Sequence, residues 1–325
     1  MSVTRRLQNF ATPPPLNLEI VDIRQEEAGD IFLSDASGNL LFGRISENPN
    51  IDMEKYTPIG VVVIPTQHMV YGHTTCAVMS LVRMQVGSPE GSVDPSAVCE
   101  WGGSGHDVEV IPNHTQAFCV ADTNSNFGSI QTPQNSRDLT GIVPFLPSDI
   151  YDTDVKNPYA PDGMNSYGPN SNLAYLGPSP YLADGSRNEL IQSTNPGSSC
   201  YSDYDGGLNT TALIIDSEDY PHPIADAVHQ FSTLGTNAGM WYIPSAGEML
   251  YLVAAYGKIM KSMEAIKESG YRCCPIQINE TFHTSTEYNA DYMVHVYVYS
   301  KFAEISASWG KTSALDTRAF YKVAL

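Results

Sequence analysis

Gly239–Val253 reads GMWYIPSAGEMLYLV and Phe282–Val298 reads FHTSTEYNADYMVHVYV, and these two stretches decide the fold. In the first, Ser245 followed by Glu248 is a capping box, in which each residue satisfies a backbone donor that the start of a helix leaves unpaired. Met249, Val253, Tyr256, Met260 and Met263 then recur every three or four residues, with Leu252, Ile259 and Ile266 widening the stripe. The spacing predicts one helix over 245–269, packed on a sheet and stopped by Gly270. In the second, Tyr292, Val294, Val296 and Val298 alternate with Met293, His295, Tyr297 and Tyr299, the period of a strand.

Outward from these, Tyr56–Pro65 (YTPIGVVVIP) is an unbroken β-branched run that predicts a buried strand. Ala212–Asp216 (ALIID) and Ala319–Leu325 (AFYKVAL) predict two more. Ile224, Val228 and Phe231 stand at helical spacing before Gly235. The order strand, insertion, strand, two helices, short strands is α+β and not a series of βαβ units.

The charge is uneven. The chain of 325 residues carries 17 Lys plus Arg against 36 Asp plus Glu, a net charge of -19. Residues 85–219 hold 18 of the acids and only 3 of the bases, with 14 of the 25 glycines and 12 of the 22 prolines. That composition predicts a loop-rich insertion at about 85–204 within an ordered core. A field of this sign repels phosphate backbones and anionic lipid heads, so neither nucleic acid nor membrane insertion is expected. No apolar run approaches the roughly 18 residues of a membrane helix. MSVTRRLQNFATPPPLNLEI contains no apolar core of an export signal, so none is expected there. The six cysteines are then expected to be free buried thiols.

Few residues are arranged for chemistry. Asp122, Asn124 and Asn126 begin like a calcium loop, but Gly128 falls one place late and no Glu follows at the twelfth position. Asp203-x-Asp205-Gly206 is a similar fragment. Both read as Asx-rich turns, although one hard cation, Ca2+, could tie the acidic insertion together; no other cofactor is expected. His283, Ser285 and Glu287 would share a face of an extended strand, yet no nucleophile elbow or oxyanion loop accompanies them, so no catalysis is expected. His68 and His73 read as loop or core histidines. The sequons at Asn113, Asn209 and Asn279 matter only in a secreted chain.

ALIIDSEDY, a short helix, GMWYIPSAGEMLYLV, FHTSTEYNADYMVHVYV, then Lys311 and Arg318 before the last strand together resemble a recurrent cassette. Its usual form is G-x-WYLPSAGEL, a helix, WSSTEY and a closing K…R-x-RAF. The cassette belongs to the C-type-lectin-like fold in its formylglycine-generating-enzyme-like branch. It is common in surface and phage-tail proteins of gut bacteria, including the variable proteins of diversity-generating retroelements. The likeness covers about 205–325 well and 29–65 loosely. Phe282-His283 stands where the pattern has Trp. No cysteine follows Cys274, so the reactive cysteine pair of the name-giving enzyme has no counterpart. Glu47-Asn48-Pro49 only scrambles the sugar-binding tripeptide of calcium-dependent lectins.

The resemblance implies an N-terminal attachment or lead-in segment at 1–55 and a C-type-lectin-like domain at 56–325, two helices packed on short antiparallel strands. Tyr56–Pro65 and Ala319–Leu325 should share one sheet. Trp241, Ser245 and Glu248 become structural residues. The late tyrosines fall where the family displays its variable face, so Tyr288, Asn289, Asp291, Tyr292, Tyr297 and Tyr299 are the candidate binding residues. The implied function is a non-enzymatic virion component of tail-fibre, head-fibre or capsid-decoration type. Its partners would be other virion proteins, a host-surface protein or glycan, and further copies of itself. The alternative is an exported surface or pilus-tip adhesin, and the third reading an enzyme of the formylglycine-generating type.

Overall fold

A computed structural model describes residues 14–66, 76–109, 111, 203, 206–277, 279–298, 303–306 and 309–323. The fold is α+β with antiparallel sheets. Seven strands form the main sheet: β1 (Leu18–Val21), β2 (Ile31–Asp35), β3 (Leu40–Ile45), β4 (Tyr56–Ile64), β5 (Ala77–Ser80), β7 (Trp241–Tyr242) and β12 (Phe320–Lys322). Their order is β1-β3-β2-β4-β5-β12-β7. The predicted first and last strands thus share a sheet, with β5 between them. A ribbon joins β6 (Cys99–Glu100) to β11 (Ala314–Leu315), and β8 (Glu280–Glu287), β9 (Met293–Val298) and β10 (Ala303–Ser306) form a second sheet.

The apolar run of β4 is unbroken because both faces of the main sheet are covered. Leu18, Ile31, Leu33, Val61, Val63, Met79 and Phe320 belong to one core, with the helices α3 (Ala246–Ala254) and α4 (Tyr256–Glu268) and Val294, Val296 and Val298 of β9. Phe32, Phe42, Val62, Val78, Trp241 and Tyr321 belong to the other, with α1 (Gly206–Asp216), α2 (Pro223–Gln230) and Trp101. Alternate residues of one strand therefore supply two cores.

Several expectations are corrected. Ala212–Asp216 is the last part of α1, not a strand. Thr210 and Thr211 turn their hydroxyls back onto the carbonyls of Gly206 and Gly207, at 2.7 and 2.9 Å, so the β-branched character is absorbed within the helix. The long predicted helix turns at Ala255 (φ -102, ψ 17) into α3 and α4, while its stripe stays buried on one core. It ends as predicted: Gly270 has φ +84, and Tyr271 N–H reaches back to the Ile266 carbonyl at 3.2 Å. The predicted second helix stops at Gln230, and Phe231 is extended and buried.

Residues 18–45 of the 1–55 segment are part of the main sheet. They form β1–β3, and β2 pairs with β4 from Ile31 opposite Val61 to Asp35 opposite Tyr56. A two-sided strand needs hydrogen-bonded neighbours, and this segment supplies them. The first part of the insertion is also built in: Cys99, Trp101, Val108 and Ile111 are buried in the second core. Residues 112–202 lie outside the described residues, and with them Asp122, Asn124, Asn126 and the sequon at Asn113; Asp205, His68, His73 and Tyr299 lie outside as well. Cys76, Cys99, Cys273 and Cys274 are free and buried, and burial pushes Cys99 up to about 11 and Cys273 to about 12. Among the described residues, no helix is long and apolar enough to cross a membrane.

Candidate functional site

The PSAGE segment and β8 meet in a buried polar corner. Ser245 N–H donates to Glu248 Oε2 at 2.8 Å, and Tyr242 donates its hydroxyl to Glu248 Oε1 at 3.0 Å. Ser245 Oγ donates to the Asp203 carbonyl at 2.7 Å. The Asp203 carboxylate in turn accepts from Asn209 Nδ2 at 2.9 Å and Thr286 Oγ1 at 2.6 Å. Asp203 is therefore placed as a buried brace between α1, α3 and β8, not as a ligand facing solvent. Asn209, one of the three sequon asparagines, is buried in the same corner. Gly206 starts α1 against this carboxylate, where a Cβ would collide with Glu248 Oε2. Burial pushes the Glu248 carboxyl up to about 7, against the pull of Lys322 and the Ser245 amide. Ser245→Ala should cost about 1 kcal/mol and lower the melting temperature by a few degrees in thermal denaturation. An unshifted melt with α3 intact would show that the hydroxyl contributes nothing.

A second buried knot explains the Glu of STEY and the Lys that follows. Glu287 and Lys311 are both fully buried and form an ion pair. Lys311 Nζ also donates to the His106 carbonyl and lies 4.8 Å from the centre of the Trp101 ring. Trp101 Nε1 donates to the Thr284 carbonyl at 2.9 Å. Burial pushes Glu287 up to about 7 in spite of Lys311. Arg83, Glu280, Asp316 and Arg318 form a neighbouring buried charge cluster, with Arg83 paired to Glu280 and 3.4 Å from Asp316.

The HTSTE side chains are engaged by the core. His283 Nε2 is committed to the Cys99 carbonyl at 2.8 Å, and Ser285 Oγ lies 3.3 Å from Asn209 Nδ2. The register between β8 and β9 shifts between His283 and Glu287. All three side chains, His283, Ser285 and Glu287, are buried.

The predicted binding residues divide. Asn289 Oδ1 accepts from the amides of Asp291 and Tyr292, both at 2.9 Å, and shapes a tight turn between β8 and β9. Asp291 Oδ1 accepts from Ser104 Oγ at 2.6 Å, and Gly105 N–H donates to the Ala290 carbonyl at 3.1 Å. Tyr292 is 39% exposed and bridges to Gly310, whose neighbour Trp309 is 44% exposed. Tyr288 packs partly on the first core and Tyr297 is half-buried on β9. The result is a braced ledge of Asn289, Asp291, Tyr292 and Trp309. Trp309 carried no sequence signal of its own.

Three other side chains converge beside this ledge. Asp216 Oδ2, at the end of α1, lies 2.7 Å from His222 Nε2 and 2.7 Å from His106 Nε2. The Nδ1 of His222 faces the Trp101 carbonyl at 3.2 Å, and the His106 ring stacks on Tyr220 at 3.6 Å. Burial works to raise the Asp216 carboxyl, but its hydrogen bonds to His222 and His106 hold it below the usual range. Sequence reasoning missed this group; its only local trace is Asp216 six residues before His222 across the turn SEDYP.

No protein-family model matches the sequence, and no curated protein matches it. Among solved structures, a fimbrial protein from Bacteroides ovatus ATCC 8483 is similar with a TM-score of 0.42 and 15% identity, over 92% of this chain. The chain spans about half the length of that protein, 49%.

Proposed function

We propose that the chain is a non-enzymatic adhesin of C-type-lectin-like fold that holds a host-surface glycan or protein on the ledge of Asn289, Asp291, Tyr292 and Trp309. The observation that carries this reading is the division of roles between core and ledge. The ionisable residues of the cassette, Glu248, Glu287, Lys311 and Arg318, are buried, so they build a frame. Tyr292 stands exposed on a turn tied down by Asn289, and Trp309 stands exposed next to Gly310, the bridge partner of Tyr292. Rigid aromatics beside an Asp and an Asn are the chemistry of sugar and protein recognition, since their apolar faces stack while the polar tips bond hydroxyls or amides.

Weak single contacts of this kind gain strength when repeated, which fits display in many copies on a cell surface or on a virion. The virion carrier rests on the resemblance of the cassette; the ledge serves either carrier. Tyr292→Ala with Trp309→Ala should weaken attachment to host cells or to an immobilised glycan panel at least about tenfold, with an unchanged melting temperature. Attachment that survives the double substitution would place the binding face elsewhere. Immunolabelling of producing cells and of released particles separates the two carriers.

A further inference from the structure

We propose that His106, Asp216 and His222 form a binding site for a divalent transition-metal ion of the zinc class. One ligand atom from each residue falls within 4.8 Å of the other two. His222 is 1% exposed and held at both nitrogens. Its Nδ1 faces a backbone carbonyl, which only accepts, so Nδ1 carries a hydrogen. Nε2 then faces Asp216 Oδ2, and in the neutral imidazole both atoms offer lone pairs. Two facing lone pairs 2.7 Å apart need something between them, a shared proton or a metal ion. The same oxygen faces His106 Nε2, and a single dication would satisfy all three atoms together.

The surroundings match how proteins prepare such ligands. A ligating histidine commonly donates its other ring nitrogen to a backbone carbonyl, which fixes ring and tautomer, as Trp101 does for His222. Gly102 leaves the space for that ring, since a Cβ there would fall 2.5 Å from His222 Nδ1. Asp216 ends α1, where the carbonyl ends of the helix favour a cation. Both His106 and Asp216 side chains are 21% exposed, so an ion can enter and keep water on its open positions.

Two imidazoles with one carboxylate favour zinc, cobalt, nickel or iron over calcium and magnesium, which prefer oxygen. Ligands about 2.1 Å from one ion stand roughly 3.0 to 3.4 Å apart. The carboxylate–imidazole spacings are already close to that, and a rotation of the more exposed His106 ring completes the set. Loop 101–106 also carries the Ser104 and Gly105 contacts to the 289–291 turn. On the adhesin reading the ion would therefore stiffen the ledge, but the metal measurement does not depend on that reading.

The test uses the full chain, stripped with chelator and titrated with Zn2+ by calorimetry, with Co2+ as a spectroscopic probe. One ion per chain is expected, together with a higher melting temperature and a Co2+ visible spectrum of mixed nitrogen and oxygen ligation. His106→Gln with His222→Gln should lower affinity by at least about 100-fold. His106→Gln alone, at the exposed end, should lower it about tenfold or more and keeps the test valid if the buried substitution unfolds the chain. Wild-type protein that takes up no zinc would overturn the proposal in favour of a proton-bridged cluster. Equal affinity in His106→Gln, with the ion held by other histidines, would overturn it too, as would tighter uptake of Ca2+ than of Zn2+.

Discussion

Lys311→Met should destabilise the protein by about 3–5 kcal/mol at pH 7. The ammonium is fully buried between the Glu287 carboxylate, the His106 carbonyl and the face of Trp101. Methionine fills most of the volume but leaves Glu287 buried with no cation and the His106 carbonyl with no donor. Such groups cost far more unpaired than their pairing contributed. Because burial already raises Glu287 to about 7, the damage should shrink toward pH 5, where the carboxyl accepts a proton and becomes neutral. Adding Glu287→Leu to Lys311→Met should recover much of the loss, since an apolar pair can replace a buried ion pair. Urea unfolding of the wild type and the two variants at pH 7 and pH 5 measures this; a loss below about 1 kcal/mol for Lys311→Met at pH 7 would mean that the pair is not buried as described.

The second large effect is acid unfolding through two histidines. His283 and His295 are cross-strand partners on β8 and β9, and both are buried. Burial depresses His283 to about 4 and His295 to about 3, the latter helped by its neighbour His283. The unfolded chain binds these protons near pH 6.5 and the native state does not. Stability from this pair is thus complete above about 6.5 and is lost as pH falls through 4 toward 3. Two groups together give a slope of about 2.7 kcal/mol per pH unit below 6.

Glu248 and Glu287 act in the opposite direction. Their raised values, about 7, favour the folded state in acid, and that contribution is lost as pH rises from about 4.5 through 7. The balance predicts a stability optimum between about pH 4.5 and 6.5. His283→Gln with His295→Gln cannot titrate, so the double variant should be less stable at pH 6.5 but should lose little more on acidification to pH 4. Melting temperature against pH for both proteins gives the two slopes; parallel acid limbs would exclude the histidines as the cause.

Some of this was readable from local pattern. The capping pair Ser245 and Glu248, the Met and Tyr stripe and the stop at Gly270 are local signals, because a helix settles its ends and its apolar face within a few residues. The alternation in Tyr292–Tyr299 places a strand for the same reason. ALIID misled because β-branched residues favour strands only as a weak prior. The glycines and threonines just before it, and the sheet surface on which α1 lies, outweighed that preference. The sequence also leaves open whether 18–45 stands apart, since strands reveal their partners only through pairing.

What the sequence alone determined was the class α+β, the helix start at PSAGE, the buried strand in Tyr56–Pro65 and the strand that follows Tyr292. Tertiary structure decided what the charged residues do. Glu287 meets Lys311 from 24 positions away, and Asp216 meets His106 from 110. Periodicity reports the environment of one segment, whereas the fate of a carboxylate, an ammonium or an imidazole depends on which other segment removes its water. That is fixed by packing, and packing turned HTSTE into a core brace and brought two histidines to one carboxylate.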